Sequence, residues 1–250
     1  MQAEVQKFKL SADRLRALNP QTRYVFALSA HIFNELMLLQ KWIHVSRRPP
    51  GNPGPEEDAA VGVSMFLFRV LAAKVYEALH PDALRKQSVA DVLRAEFLAK
   101  KDGLIDKWDA TLNRYENMTW MGKVRNQGAF HYMNETQWGP HLDGDFCEDA
   151  YVYVGKRYSD TYFHWAEMGA SLPSMRLMNK DDPFAGLSQM IDELGSVLVD
   201  LTDCLAKGLQ AFMNDNIGEE LVDRIRFDAP PFEPVALHYF FADERLQPEQ

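Results

Sequence analysis

What most constrains this chain is a set of long stretches in which apolar residues return every three or four positions. Between Thr22 and Ser46, the residues Val25, Phe26, Leu28, Ile32, Phe33, Leu36, Leu39 and Ile43 keep that spacing, which puts them on one helix face. Asn19-Pro20 opens the stretch. Pro49, Pro50, Pro53 and Pro55, with Gly51 and Gly54, then remove backbone donors and close it in an exposed loop, a linker rather than a proline-rich recognition motif. A second apolar helix is expected from Ala59 to Leu79, stopped by His80-Pro81. Ser88 can cap a short third helix carrying Val89, Val92, Leu93 and Phe97. A fourth, from about Asp106 to Gly128, turns Trp108, Leu112 and Tyr115 inward.

The middle of the chain has a different texture. From His131 to Pro183 it is rich in aromatics, Gly and Asp, and two β-favouring runs, 150–154 and 161–165, flank a polar turn. From Pro183 to about Asn216 the helical spacing returns with Leu187, Met190, Ile191, Leu194, Leu198, Leu201, Leu205, Leu209 and Phe212. The expected fold is mainly α, an antiparallel bundle of four to five helices with a small β-hairpin insertion. Residues 1–132 supply the first helices, 133–183 the aromatic and acidic insertion, and 184–216 the helix that completes the bundle. Residues 217–250, acidic and containing Pro230, Pro231 and Pro234, are expected to wrap the surface or stay partly mobile.

With 250 residues, 46% of them apolar, the chain can bury a sizeable core. Arg69 and Lys74 interrupt the longest apolar run, so no membrane span is expected, and residues 1–13 contain no signal-like apolar segment. A soluble, cytoplasmic protein with reduced thiols follows as the expectation, since Cys147 and Cys204 are the sole cysteines. The net charge of −9 argues against indiscriminate nucleic-acid binding. That charge is uneven: residues 1–132 are net basic and the remainder acidic, so a local basic site is not excluded.

The chemically distinctive stretch lies at the end of the fourth helix, Lys123-Val124-Arg125-Asn126-Gln127-Gly128-Ala129-Phe130-His131-Tyr132. On a straight helix Arg125 and His131 would sit about 120° apart in angle and roughly 9 Å apart along the axis, so they would not converge. Gly128 can distort the last turn, letting the pair flank one cleft or meet the same pair from a second subunit. Arg can hold phosphate oxygens with a fork of donors, while an imidazole near its ordinary pKa of about 6.5 can take or give a proton. Together they suit cleavage of a phosphodiester by a neighbouring ribose 2′-OH, without metal and confined to RNA.

This stretch resembles the motif of the HEPN family (higher eukaryotes and prokaryotes nucleotide-binding domains), small helical bundles with Arg, four to six residues, then His, often with a polar residue after the Arg. Here Asn126 follows Arg125 and five residues precede His131. The upstream Lys74-Val75-Tyr76-Glu77-Ala78-Leu79 also looks like the second helix of some bacterial members. The resemblance implies a metal-independent endoribonuclease, a toxin or antiviral-defence component, built as a homodimer with a composite site and a possible antitoxin or regulatory protein. It implies phosphate contact for Arg125, support for Asn126 and acid/base work for His131, with Lys74, Glu77 and Tyr132 as supporting residues. No cofactor or metal is implied. The alternative is a non-catalytic module of the same ancestry that binds a nucleotide, RNA or a protein partner.

Context separates Arg125 from a second match to the bare spacing, Arg157 to His164, which falls in the expected hairpin and is followed by Tyr158. The structural alternative for Arg125 is a pair with a carboxylate such as Glu77, with His131 capping the helix C-terminus. Lys74 and Glu77, three apart, are expected to pair with each other, or to join Arg69 in orienting Arg125. His131, His141, Asp143, Asp145 and His164 hold metal-ligand atoms but no spacing that orients them, so an acidic turn is the reading there. Gly62-Val63-Ser64-Met65-Phe66 fails the nucleophile-elbow pattern, and no phosphate-binding glycine fingerprint is present.

Overall fold

A computed structural model describes residues 2–46, 54–130, 133–136, 138–139, 151–155, 158–217, 219–229 and 239. Four long helices carry the fold: α2 (Pro20–Ser46), α3 (Pro55–Ala78), α5 (Leu104–Asn117) and α8 (Pro183–Phe212). Around them lie the short helices α1 (Ala12–Ala17), α4 (Gln87–Val92), α6 (Trp120–Val124) and α7 (His164–Arg176). The mainly α expectation holds.

The core sits where the apolar faces meet. Val25, Ile32 and Leu36 of α2, Leu71, Ala72 and Val75 of α3, Trp108 of α5, and Leu194, Val197, Leu201 and Leu205 of α8 are buried together. At one end Phe97 stacks on Phe212 with ring centroids 4.2 Å apart, and Phe26 closes on the same ring at 5.3 Å. Aromatic pairs of this kind add about 0.5–1.5 kcal/mol beyond the area they bury. The start of α8 follows its sequence: the Asp182 side chain accepts from Ala185 N–H at 3.0 Å, and Pro183 fills the first helical position, which needs no donor.

Several boundaries differ from the sequence reading. The fourth helix is broken, because Met118 leaves helical geometry (φ −86°, ψ 67°) between α5 and α6. That break lets Met118 and Trp120 both reach the core. Ser88 lies within α4 rather than capping it. The expected hairpin shrinks to β2 (Tyr153–Val154) and β3 (Thr161–Tyr162), paired antiparallel as Tyr153↔Tyr162 and Val154↔Thr161. Residues 163–165 do not extend it, since α7 starts at His164. Its aromatic opening and internal Pro173 disguise a helix.

Part of the expected tail forms regular structure. Residues Glu219–Asp228 form β4, which pairs antiparallel with β1 (Gln2–Leu10), Val5 opposite Ile225 and Ala3 opposite Phe227. Dense charge along both strands hides their alternation, yet that charge pairs across the ladder, Arg226 Nε donating to Glu4 Oε2 at 2.7 Å.

By length and composition, α3 could cross a membrane, contrary to the reading that Arg69 and Lys74 preclude it, and half of its apolar window is buried here. Both cations find carboxylates: Arg69, itself buried, donates to Glu167 and to Ser171 Oγ, and Lys74 donates to Glu35.

Candidate functional site

Arg125 stands at the junction of α6 and a π-helical turn, Arg125–Ala129, that follows it directly. A π turn inserts an extra residue into the helical ladder and re-aims the side chains around it. Three buried anchors fix α6: Trp120, Met121 and Val124. The Trp120 ring stacks on Phe68 of α3 at 6.2 Å, and its Nε1–H donates to Glu193 Oε2 of α8 at 2.8 Å. Two glycines let the segment lie close on α3. A Cβ at Gly122 would meet the Tyr76 ring at 3.3 Å, and one at Gly128 would meet Arg69 Cδ at 3.1 Å. Gly128 thus lies in a distorted last turn, as its sequence position suggests, and also permits close packing against Arg69.

On this platform the Arg125 guanidinium is held along two edges. Its Nε–H donates to Glu77 Oε1 at 2.7 Å, and Nη1 donates to Asn126 Oδ1 at 2.7 Å. Its Cζ lies 5.9 Å from the centre of the Phe130 ring. The Arg125 side chain is 33% exposed and that of Glu77 43%, so the pair sits at the surface and keeps access to solvent. Among the described residues, the hydrogen bonds of the guanidinium use Nε and Nη1, and none uses Nη2.

The supporting residues divide. Glu77 joins Arg125, as one expectation had it, but the expected Lys74–Glu77 pair does not form. Lys74 Nζ donates instead to Glu35 Oε1 of α2 at 2.7 Å, and His31 Nε2 stands 3.7 Å from Glu35 Oε2. Residues three apart on a helix differ by about 60° in direction, enough here to send Lys74 toward α2 and Glu77 toward α6. His131 and Tyr132 lie outside the described residues, as do Cys147, Arg157 and the His141–Asp145 segment.

No protein family, curated protein or solved structure matches this chain.

Side chains that the sequence reading left out gather beside Glu77. Tyr76 lies 5.7 Å from His80 and 6.4 Å from Tyr115, ring to ring, and Arg85 sits 5.8 Å over the Tyr115 ring. Burial, then the Tyr76 phenol, pushes the Tyr115 hydroxyl up to about 12, so it remains a donor at neutral pH. The signal was present, since Tyr76, Glu77 and His80 fall within five residues at the end of α3, but His80-Pro81 reads first as a helix stop.

Other candidates recede. Among the described residues no group of three or more His, Cys, Asp or Glu could hold a metal. Ser64 is within α3 and shares a 2.9 Å hydrogen bond with Ser46. Cys204 is buried, and that burial pushes its thiol up to about 11.

Proposed function

We propose that this chain is a HEPN-like, metal-independent endoribonuclease that cleaves RNA through its own 2′-hydroxyl. The observation that carries the reading is the Arg125 guanidinium at the protein surface, hydrogen-bonded to Glu77 through Nε and to Asn126 through Nη1, with no hydrogen bond from Nη2 among the described residues. A phosphate approaching Nη2 gains a charge-assisted contact from a group already oriented, so little ordering entropy is lost on binding. His131, six residues on, takes the proton from the 2′-OH as its oxygen attacks phosphorus. The bond from phosphorus to the 5′-oxygen breaks, and an imidazolium returns a proton to that oxygen, leaving a 2′,3′-cyclic phosphate. Arg125 neutralises the charge that builds on the non-bridging oxygens. Two imidazoles acting in one site call for a homodimer, and a toxin or antiviral-defence role under an antitoxin or regulatory protein is consistent with such chemistry.

One observation favours the second reading, a non-catalytic HEPN-like module that binds a nucleotide, RNA or protein. Glu77 already neutralises Arg125 and competes with an incoming phosphate.

The test is incubation of purified protein with mixed cellular RNA in EDTA, comparing the wild type with Arg125→Ala and His131→Ala of matched helicity. Cyclic-phosphate ends that disappear in both variants establish the nuclease. Absence of cleavage by folded wild type, with RNA retention that depends on Arg125, establishes the binding module.

A further inference from the structure

The π turn does more than aim Arg125. On a straight α-helix, residues five apart differ by about 140° in direction, so Arg125 and Phe130 would point away from each other. Here the Phe130 N–H reaches back to the Arg125 carbonyl at 3.4 Å, one residue farther than an α-helical bond would, and the wider turn brings the two side chains together. The guanidinium carbon stands 5.9 Å over the Phe130 ring, within the range of a cation–π contact.

Phe130 nevertheless keeps 47% of its surface exposed. The ring at the other end of this segment is used differently: Trp120 stacks on Phe68 and both are buried. A lone exposed aromatic is ordinary on a protein surface. What distinguishes this one is the cation held over it, itself anchored by Glu77, so that ring and charge are presented as a unit. Such a unit matches the two halves of a nucleotide, the phosphate meeting the guanidinium and the base meeting the ring. Every base has a π face, so stacking on an aromatic side chain tolerates sequence. It requires a base free of its neighbours, which single strands offer and a duplex, with its bases stacked and paired, does not.

We infer that Phe130 is a stacking platform for a base of single-stranded RNA whose phosphate lies at Arg125, and that it makes the site select single strands over duplex. The inference rests on the proposed reading that Arg125 holds an RNA phosphate.

The test is fluorescence anisotropy of the full-length protein, in EDTA at fixed salt, with a labelled oligo(A) strand of about 12 nucleotides, alone or annealed to oligo(U). The strands carry 2′-O-methyl groups, so that attack by a 2′-hydroxyl is blocked and binding alone is read. Phe130→Leu keeps apolar bulk but removes the aromatic face, and should weaken binding of the single strand about tenfold at unchanged melting temperature. Phe130→Trp restores a face and should bind at least as tightly as the wild type. The duplex should bind more weakly than the single strand and be indifferent to Phe130→Leu. Binding that is lost in Arg125→Ala but kept in Phe130→Leu, equal loss in the Leu and Trp variants, or a duplex bound as tightly as the single strand overturns the platform and leaves the Arg125 reading standing. Absence of any RNA binding that depends on Arg125 overturns both.

Discussion

Arg125 Nε–H donates to Glu77 Oε1 at 2.7 Å, joining residues 48 positions apart and tying the π turn to the end of α3. Because both side chains are partly exposed, the pair adds less than about 1 kcal/mol to stability. Its worth lies in aim. On the proposed nuclease reading, Glu77→Gln should leave thermal unfolding nearly unchanged yet slow RNA cleavage about 10- to 100-fold by loosening the guanidinium. Measurement of cleavage rate and melting temperature on the same preparation checks both halves.

The α5–α8 interface should show a two-sided pH profile. Burial acts to raise Asp200, but hydrogen bonds from Lys107 and Arg114 outweigh it and hold the carboxyl below its ordinary 3.8. Asp203 is lowered by Lys107 and Lys207. The hydrogen bonds that its ammonium donates to Asp203 and Asp200 raise Lys107 above its ordinary 10.5. A lowered carboxyl stabilises the fold above pH 3.8 and loses that contribution as pH falls through its folded value. A raised ammonium stabilises below pH 10.5 and loses its contribution as pH rises further. Melting temperature should therefore be flat between those limits with respect to this cluster and fall outside them. Asp200→Asn with Asp203→Asn should cost about 1 kcal/mol at pH 7 and flatten the acid limb.

Two glycines should respond in opposite senses to alanine. A Cβ at Gly186 would fall on the Met175 carbonyl oxygen, where backbone must move to admit it. Gly186→Ala is expected to cost about 2 kcal/mol or more in urea unfolding. Gly195 lies mid-helix with open space around its Cβ position, and Gly195→Ala should gain about 0.5–1 kcal/mol from helix propensity.

Cys204 is fully buried and its thiol is pushed up to about 11 by that burial, so it should be inert in the native state. In a Cys147→Ser background, an aromatic disulfide reagent at pH 8 should label Cys204 only at the rate at which the bundle opens. Denaturant should release the full reaction within the mixing time.

The long helices were legible because each buries one continuous stripe: α2, α3 and α8 follow the spacing of Ile32 and Leu36, of Leu71 and Val75, and of Leu194, Leu198 and Leu205. The break at Met118 was not, since Leu112, Tyr115, Met118 and Met121 recur every three residues through it and only the demand of Met118 and Trp120 for the core interrupts the backbone. Neither β1 nor β4 was visible, because each strand depends on the other far along the chain and dense charge masks the alternation along both. At the candidate site, Arg125, Asn126 and Glu77 could be read from local chemistry. The diversion of Lys74 to Glu35 could not, because it is set by how α2 packs against α3.

The pairing of β1 with β4 also sets an order of assembly. Gln2 opposes Asp228, so the ribbon cannot zip until more than two hundred intervening residues have been synthesised. The helices between, whose contacts are mostly closer in sequence, are free to collapse first. Closing so long a loop adds little to the equilibrium cost, about 0.6 kcal/mol per doubling of length, but it delays the event. Until then the early strand waits on the nascent chain with unsatisfied backbone donors and acceptors, and its exposed edge is the point at which a chaperone, or another unfinished copy, would first take hold.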